Sequence, residues 1–198
     1  MNNKRKIKRL KELADIKIGL PLERKKANPI SLDKIEYKLL TLKSFTATDD
    51  FNDLYDETFI ADSHINSQYL TKVNDVIVRL RAPTTAIHIS SKNADLVVPS
   101  LMAIVTNIDV SILDSKYLTY YLNSQLIQNQ LIKNSQGTSI TMTKRTDLLE
   151  LEINLPPLEK QQKIVNYIDT ANKEIGLLNK LIDEKNKLKT EIFETLIK

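Results

Sequence analysis

Residues 158–198 follow a proline pair, Pro156-Pro157, contain no further proline, and read as one uninterrupted helix. A proline at a first helical position loses only an N–H that has no intrahelical partner, and its fixed φ suits the start. Glu159 lies where the helix dipole favours a carboxylate. Ile164, Ile168, Ala171, Ile175, Leu178 and Ile182 recur at spacings of four and three, so they line one side, with Lys163, Lys173 and Lys180 elsewhere. That stripe has the pattern of a coiled-coil seam. Beyond it, Leu181, Leu188, Ile192 and Leu196 continue from a shifted phase, as a short step in the heptad produces, and Gly176 is the one poor helix former inside. At about 1.5 Å per residue the helix is about 60 Å long, more than a small domain needs to cover its own core. It either folds back on that domain or pairs with a second helix. No earlier segment carries matching heptads, so the expected partner is another copy or another protein.

The remaining residues, 1–155, suffice for one domain of ordinary size. A chain of 198 residues with 41% hydrophobic and 27% charged side chains is expected to be globular and soluble. With no Cys, a disulfide framework and a thiolate metal site are excluded. His64 and His88 are too few for a conventional zinc cluster, so neither a metal nor a cofactor is implied. The basic start, residues 1–6, leads into no apolar run, and no stretch approaches the roughly 18–20 apolar residues of a membrane span, which points to a cytoplasmic protein.

Charge is unevenly spread. Residues 1–43 hold 13 Lys and Arg against 5 Asp and Glu, whereas residues 44–70 hold 6 acidic residues and no basic one. A basic region beside an acidic loop suits a phosphate-facing surface next to a solvent-facing one, and it equally suits solubility.

Along the chain, residues 7–10 read as a short strand, 11–14 as a helical turn, and 15–18 alternate toward Gly19, an expected turn. Arg24-Lys25-Lys26 then form a cationic loop closed by Pro29, a candidate for phosphate contact. Residues 37–42 read as a strand and 46–56 as a long acidic loop. Residues 75–81 give the clearest strand, with Val76, Val78 and Leu80 on one face and Ile77, Arg79 and Arg81 on the other. Arg79 and Arg81 are therefore base-facing candidates. The turn 82–85, carrying Thr84 as a further base-facing candidate, sends residues 86–89 back antiparallel, with His88 as a packing or surface residue. Residues 96–98 and 102–105 complete a strand-rich middle.

The period then lengthens. Asp114 or Ser115 caps a helix through Tyr117, Leu118, Tyr121 and Leu122, and Ser124 starts a second through Leu126, Ile127, Leu131 and Ile132 that stops near Gly137. Tyr117, Tyr120 and Tyr121 at this spacing are packing residues rather than a base-stacking platform. The small polar linker 136–139 adds Thr138 and Ser139 to the base-facing candidates. Lys144 and Arg145, at a short helix start, join Arg24, Lys25 and Lys26 as phosphate candidates. Residues 152–155 form a last strand before the long helix. Glycine-rich phosphate loops and nucleophile-base sets are absent, with only Gly19, Gly137 and Gly176 in the chain, which argues against an independent nuclease or methyltransferase.

The junction Leu155-Pro156-Pro157-Leu158-Glu159-Lys160-Gln161, followed by Lys163-Ile164-Val165, resembles the strand-to-helix junction of the specificity subunits of type I restriction-modification enzymes. The lysine-rich residues 184–189 resemble that family's conserved helix. Weaker likenesses fall in order: residues 10–19 to the family's opening, 73–78 to its strand, 117–118 with 121–124 to its helix, and Gly137-Thr138 to its small-residue loop. Asn74 stands where the family usually has glycine. The resemblance implies an α/β (α+β) target-recognition domain, residues 1–155, with a strand-rich core and short helices. One long C-terminal coiled-coil helix, residues 156–198, follows. It also implies no catalysis by this chain, double-stranded DNA as ligand, and a modification methyltransferase as partner. S-adenosylmethionine is expected on that partner, and a restriction subunit joins through the complex. Full-length members carry two recognition domains and two helices, so one of each resembles a half-subunit, expected to homodimerise through Ile164, Ile168, Ala171, Ile175, Leu178, Ile182, Leu188 and Ile192. The alternative is a regulatory coiled-coil protein that competes for the same partners without supporting modification.

Overall fold

The computed structural model describes residues 6–28, 34–45, 57–134 and 142–197. Its elements are β1 (Lys6–Arg9), β2 (Asp15–Ile18), β3 (Ile35–Leu39), β4 (Glu57–Ala61), β5 (Val76–Arg79), β6 (Ala86–His88), β7 (Met102–Thr106), α1 (Ser115–Asn123), α2 (Gln125–Asn134), α3 (Arg145–Leu149), β8 (Glu152–Leu155) and α4 (Leu158–Leu196). The fold is mixed α/β, a strand-rich core with short helices and one long C-terminal helix, as expected. The acidic loop 46–56, Gly137, Thr138 and Ser139 lie outside the described residues.

A four-stranded antiparallel sheet, ordered β2-β7-β5-β6, is the centre, and β1 with β8 and β3 with β4 form two-stranded sheets beside it. The alternation in β5 only half predicts its environment. Val76, Val78 and Leu80 enter the larger core with Leu10, Leu118, Leu148 and Val165. The opposite face is also covered, since Ile77 packs with Leu40, Ile87, Ile89 and Val98. The four-stranded sheet is thus buried on both faces. The expected segment 96–98 forms no regular strand; Val97 instead bridges Leu39 and Leu70.

Gly19 is not at a turn. A Cβ there would lie 2.2 Å from the Pro99 carbonyl oxygen and 2.4 Å from that of Val98, so glycine is required by close backbone approach where residues 19–20 join residues 98–102. Asn74 does occupy a strained turn, with φ at 70°, a conformation that asparagine accepts better than most residues and glycine accepts freely. Asp114 is the cap of α1, accepting from the Tyr117 N–H at 2.9 Å. The tyrosines pack as expected: Tyr117 and Tyr121 donate to the carbonyls of Asn154 and Glu152, tying α1 to β8. Burial, together with the neighbouring Tyr121, pushes the Tyr117 hydroxyl up to about 12.

Pro157 is the N-cap of α4 rather than its first helical residue. The helix docks on the domain through its first three turns. Gln161, fully buried, accepts from the Asp114 N–H and donates to the carbonyls of Ile112 and Pro156. Val165 enters the core one turn on. Asp169 then takes Lys116 on one oxygen at 2.7 Å and the Tyr120 hydroxyl on the other at 2.5 Å. Burial opposes the Asp169 charge, but these two donors hold the carboxyl below its ordinary range. Among the described residues no helix is long and apolar enough to cross a membrane.

Candidate nucleic-acid interface

The strand register brings the cationic segments to one end of the central sheet. β2 pairs with β7 from Asp15 against Thr106 to Ile18 against Ala103, and β5 pairs with β7 from Val76 against Val105 to Arg79 against Met102. The carboxyl ends of β2 and β5 therefore lie beside the amino end of β7. Residues 20–26 leave from that end of β2, and residues 80–85 leave from that end of β5. Residues 142–145 cross the same end, because the Thr143 N–H donates to the Leu80 carbonyl, Arg81 bridges Met142, and Arg145 Nε donates to the Ile16 carbonyl at 2.7 Å. Arg79, Arg81, Lys144 and Arg145 thus lie at one end of the sheet, and Arg24, Lys25 and Lys26 follow in the segment that leaves the same end and runs along β4, where Lys26 bridges Ala61. The docked start of α4 is at the other end, where Asp114 follows β7.

Each candidate has a definite environment. Arg81 is exposed and its guanidinium has no carboxylate partner among the described residues. Arg79 is half-buried: one terminal nitrogen makes a long 3.4 Å contact with the Ala82 carbonyl, and its Nε is enclosed without a hydrogen-bond partner among the described residues. A buried donor left dry costs about 1–3 kcal/mol. The two arginines do not share an open face, because the second core covers the side of β5 on which Arg79 begins.

Thr84 departs further from expectation. It is buried, and its hydroxyl meets that of Thr143 at 2.9 Å, so it faces inward rather than toward bases. Lys144 is exposed at the cap of α3, where its own N–H donates to Asp147. Arg145 is exposed, with its Nε pinned on the Ile16 carbonyl. Between these segments lies an apolar pocket of about 380 Å³ walled by Ile18, Leu80 and Met142 and rimmed by Lys144 and Arg145. In the first basic loop, Lys25 Nζ donates to Ser63 at 2.7 Å and is half-buried, whereas Arg24 and Lys26 are exposed. By contrast Arg9, Lys11, Lys43 and Lys116 spend their charge on Glu150, Glu57 and Asp169.

Along α4 the expected seam divides. Ile164 packs on the domain core, and Ile168 and Ala171 are half-buried, so the first part of the stripe is shared with the domain. The physical reason is angular: at 3.6 residues per turn Val165 and Gln161 point only about 60–100° from Ile164, so the docking face borders the seam. From Ile175 onward, Leu178, Ile182, Leu188 and Ile192 are exposed, joined by Leu177, Leu181, Phe193 and Leu196. A contiguous exposed apolar stripe of this length marks an interaction surface. Gln161, Val165 and Asp169 were missed as domain anchors. Gln161, a polar residue one turn into an amphipathic helix, was the available signal.

Among the described residues no group of three or more His, Asp or Glu could hold a metal ion. The sequence matches the family described as type I restriction modification DNA specificity domain over residues 2–187. It is 33% identical over 85 residues to the type I restriction enzyme MjaVIII specificity subunit of Methanocaldococcus jannaschii, covering 43% of this chain and 20% of that protein. The fold is similar to the HsdS subunit of Thermoanaerobacter tengcongensis, with a TM-score of 0.59 and 22% identity over 91% of this chain and 40% of that one. A chain from a structure of type I R-M system assembly and conformational transition gives a TM-score of 0.61 and 20% identity over 93% of this chain and 42% of that one. The chain spans about two fifths of those solved structures and one fifth of the archaeal relative.

Proposed function

The chain belongs to the type I restriction modification DNA specificity family, and from that premise we propose that residues 1–155 read one half-site of duplex DNA with the basic end of the central sheet. Specificity, not catalysis, is the family's contribution. The observation that carries this assignment is the convergence of Arg81, Lys144 and Arg145 at one sheet end, opposite the docked helix, with Arg24 and Lys26 in the segment that leaves the same end and no carboxylate partner on any of them among the described residues. Arg79 and Arg81 read base edges, where a forked guanidinium matches guanine. Arg24, Lys25, Lys26, Lys144 and Arg145 hold phosphates and set the orientation. Thr138 and Ser139 adjoin the segment 142–145 in sequence and remain base-facing candidates.

Residues 156–198 serve as the coiled-coil helix that pairs with a second copy and docks a modification methyltransferase. That partner binds S-adenosylmethionine, methylates adenine, and brings a restriction subunit into the complex. The exposed stripe from Ile175 to Leu196 supports the pairing. A two-fold pair with antiparallel helices puts one recognition domain at each end, so the target is two inverted half-sites around an unread spacer. The same stripe would also serve a regulatory chain that only competes for partners. Sequencing of methylated DNA from cells expressing this chain and its methyltransferase separates the two: a palindromic bipartite motif is expected, and a stable complex that leaves DNA unmethylated refutes the DNA-reading assembly. Alanine at Arg79 and Arg81 should relax the preference at one base position by about 1–3 kcal/mol each, whereas alanine at Lys144 or Arg24 should weaken all sequences and lower the salt slope by about one.

A further inference from the structure

The turn that carries Arg81 is held from three directions by side chains that no basic residue supplies. Asn123, the last residue of α1, donates from Nδ2 to the Ala86 carbonyl at 2.8 Å and accepts the Ala86 N–H on Oδ1 at 2.7 Å. Its amide does for the edge strand β6 what a neighbouring strand's peptide would do. Gln128 on α2 donates to the Thr84 carbonyl at 2.6 Å and to the Leu122 carbonyl at 2.8 Å. The buried hydroxyls of Thr84 and Thr143 meet at 2.9 Å, joining this turn to the segment that presents Lys144 and Arg145. Within the turn, the Arg79 N–H donates to the Thr85 carbonyl and closes the loop.

We propose that Thr143, Thr84 and Gln128 are positioning residues that lock the Arg81 turn and the Lys144–Arg145 segment into one fixed register, and so set sequence discrimination without touching DNA. The inference rests on the reading of this sheet end as the DNA-binding surface. Base readout needs a guanidinium placed to a few tenths of an ångström, while phosphate attraction tolerates a looser surface. Loss of the Thr84–Thr143 bond would let the two segments shift independently. Phosphate contacts would persist, and bidentate base contacts would not survive the added freedom.

The experiment uses the full chain with its methyltransferase partner and a pool of randomised DNA duplexes, sequenced after selection of the bound fraction. Thr143→Val keeps the shape and deletes the hydroxyl; Thr143→Ser restores it. The proposal expects Thr143→Val to lower enrichment of the wild-type motif about ten-fold, with the affinity and salt slope for an unenriched duplex unchanged, and Thr143→Ser to recover the enrichment. Gln128→Met should act in the same direction. If Thr143→Val enriches the wild-type motif undiminished while Arg81→Ala loses it, the positioning role is wrong and the DNA reading stands. If wild type enriches no motif, or Arg81→Ala and Lys144→Ala leave both enrichment and affinity unchanged, the underlying reading falls and the proposal with it. A Thr143→Val protein that loses unenriched-duplex binding in equal measure, or that Thr143→Ser does not rescue, has merely lost structure and also overturns the proposal.

Discussion

Replacing Gln161 by leucine tests how the long helix is fastened to the domain. Gln161 is fully buried and makes three hydrogen bonds, to the Asp114 N–H at 2.9 Å and to the Ile112 and Pro156 carbonyls at 2.8 Å each. Leucine is apolar, one atom shorter, and makes none of these bonds. Each orphaned group costs about 1–3 kcal/mol when it stays dry. Ile112, Asp114 and Pro156 are only half-buried, so water relieves part of the loss, and the three together cost roughly 4–5 kcal/mol. The added apolar surface returns about 1–2 kcal/mol. A net loss of about 3 kcal/mol is a large share of the roughly 5–15 kcal/mol that holds a domain folded. For a chain of this size it lowers the melting temperature by about 6–12 °C. Thermal melts of Gln161→Leu, with the exposed Lys160→Ala as control, measure it. Hydrogen exchange should show the first turns of α4 opening before β7. A Gln161→Leu protein melting within about 2 °C of wild type would refute the view that this residue is the joint.

Leu178→Asp places an unpaired charge in the exposed stripe and should abolish self-association at tens of micromolar by light scattering; if wild type and variant have the same mass, the stripe is not the dimer interface. Burial, reinforced by Lys116 and opposed by Asp114 and Asp169, holds the His88 pKa below its ordinary 6.5, so the folded state resists a proton that the unfolded chain accepts. Stability should therefore be complete above pH 6.5 and fall as pH drops through that value toward the depressed one, and His88→Gln should flatten this slope in denaturant titrations across pH 5–7. Gly176→Ala should stabilise the helix by about 0.5–1 kcal/mol, because a Cβ there meets nothing within 4 Å. Gly19→Ala, with its Cβ driven against two carbonyl oxygens, should cost about 3 kcal/mol or more; a melting temperature that does not fall refutes the Gly19 assignment, and one that falls in Gly176→Ala refutes the other.

The elements whose residues contact sequence neighbours were legible. The 39-residue α4, the Asp114 cap, the β5–β6 hairpin and the terminal β8 all follow from periodicity and capping, which are local properties of the backbone. The packing role of the three tyrosines was also legible from helical spacing. The site was legible only as a set of residue types. Arginines at a strand end and cations at loops can be picked out in order along the chain, but nothing local says that residues 20–26, 80–85 and 142–145 meet.

Their meeting was decided by long-range register. β7 pairs with both β2 and β5, which sets two of the segments at one end, and the Thr143–Leu80 and Arg145–Ile16 hydrogen bonds bring in the third. The same non-local packing buried Thr84, covered the second face of β5, and turned Gly19 from a supposed turn into a point of close contact. Likewise, the apolar stripe on α4 is visible in the sequence, while only the docked domain reveals that Ile164 packs on the core and Ile175 is exposed. By itself the sequence determined most of the helices and the central strands, because propensity, capping and period act over a few residues, whereas it missed β4 and misread residues 96–98, whose pairing depends on distant partners. Which faces remain exposed, and which cations share a surface, required the tertiary structure, because burial depends on neighbours distant in sequence, as Ile77 against Leu40 and Arg145 against Ile16 show.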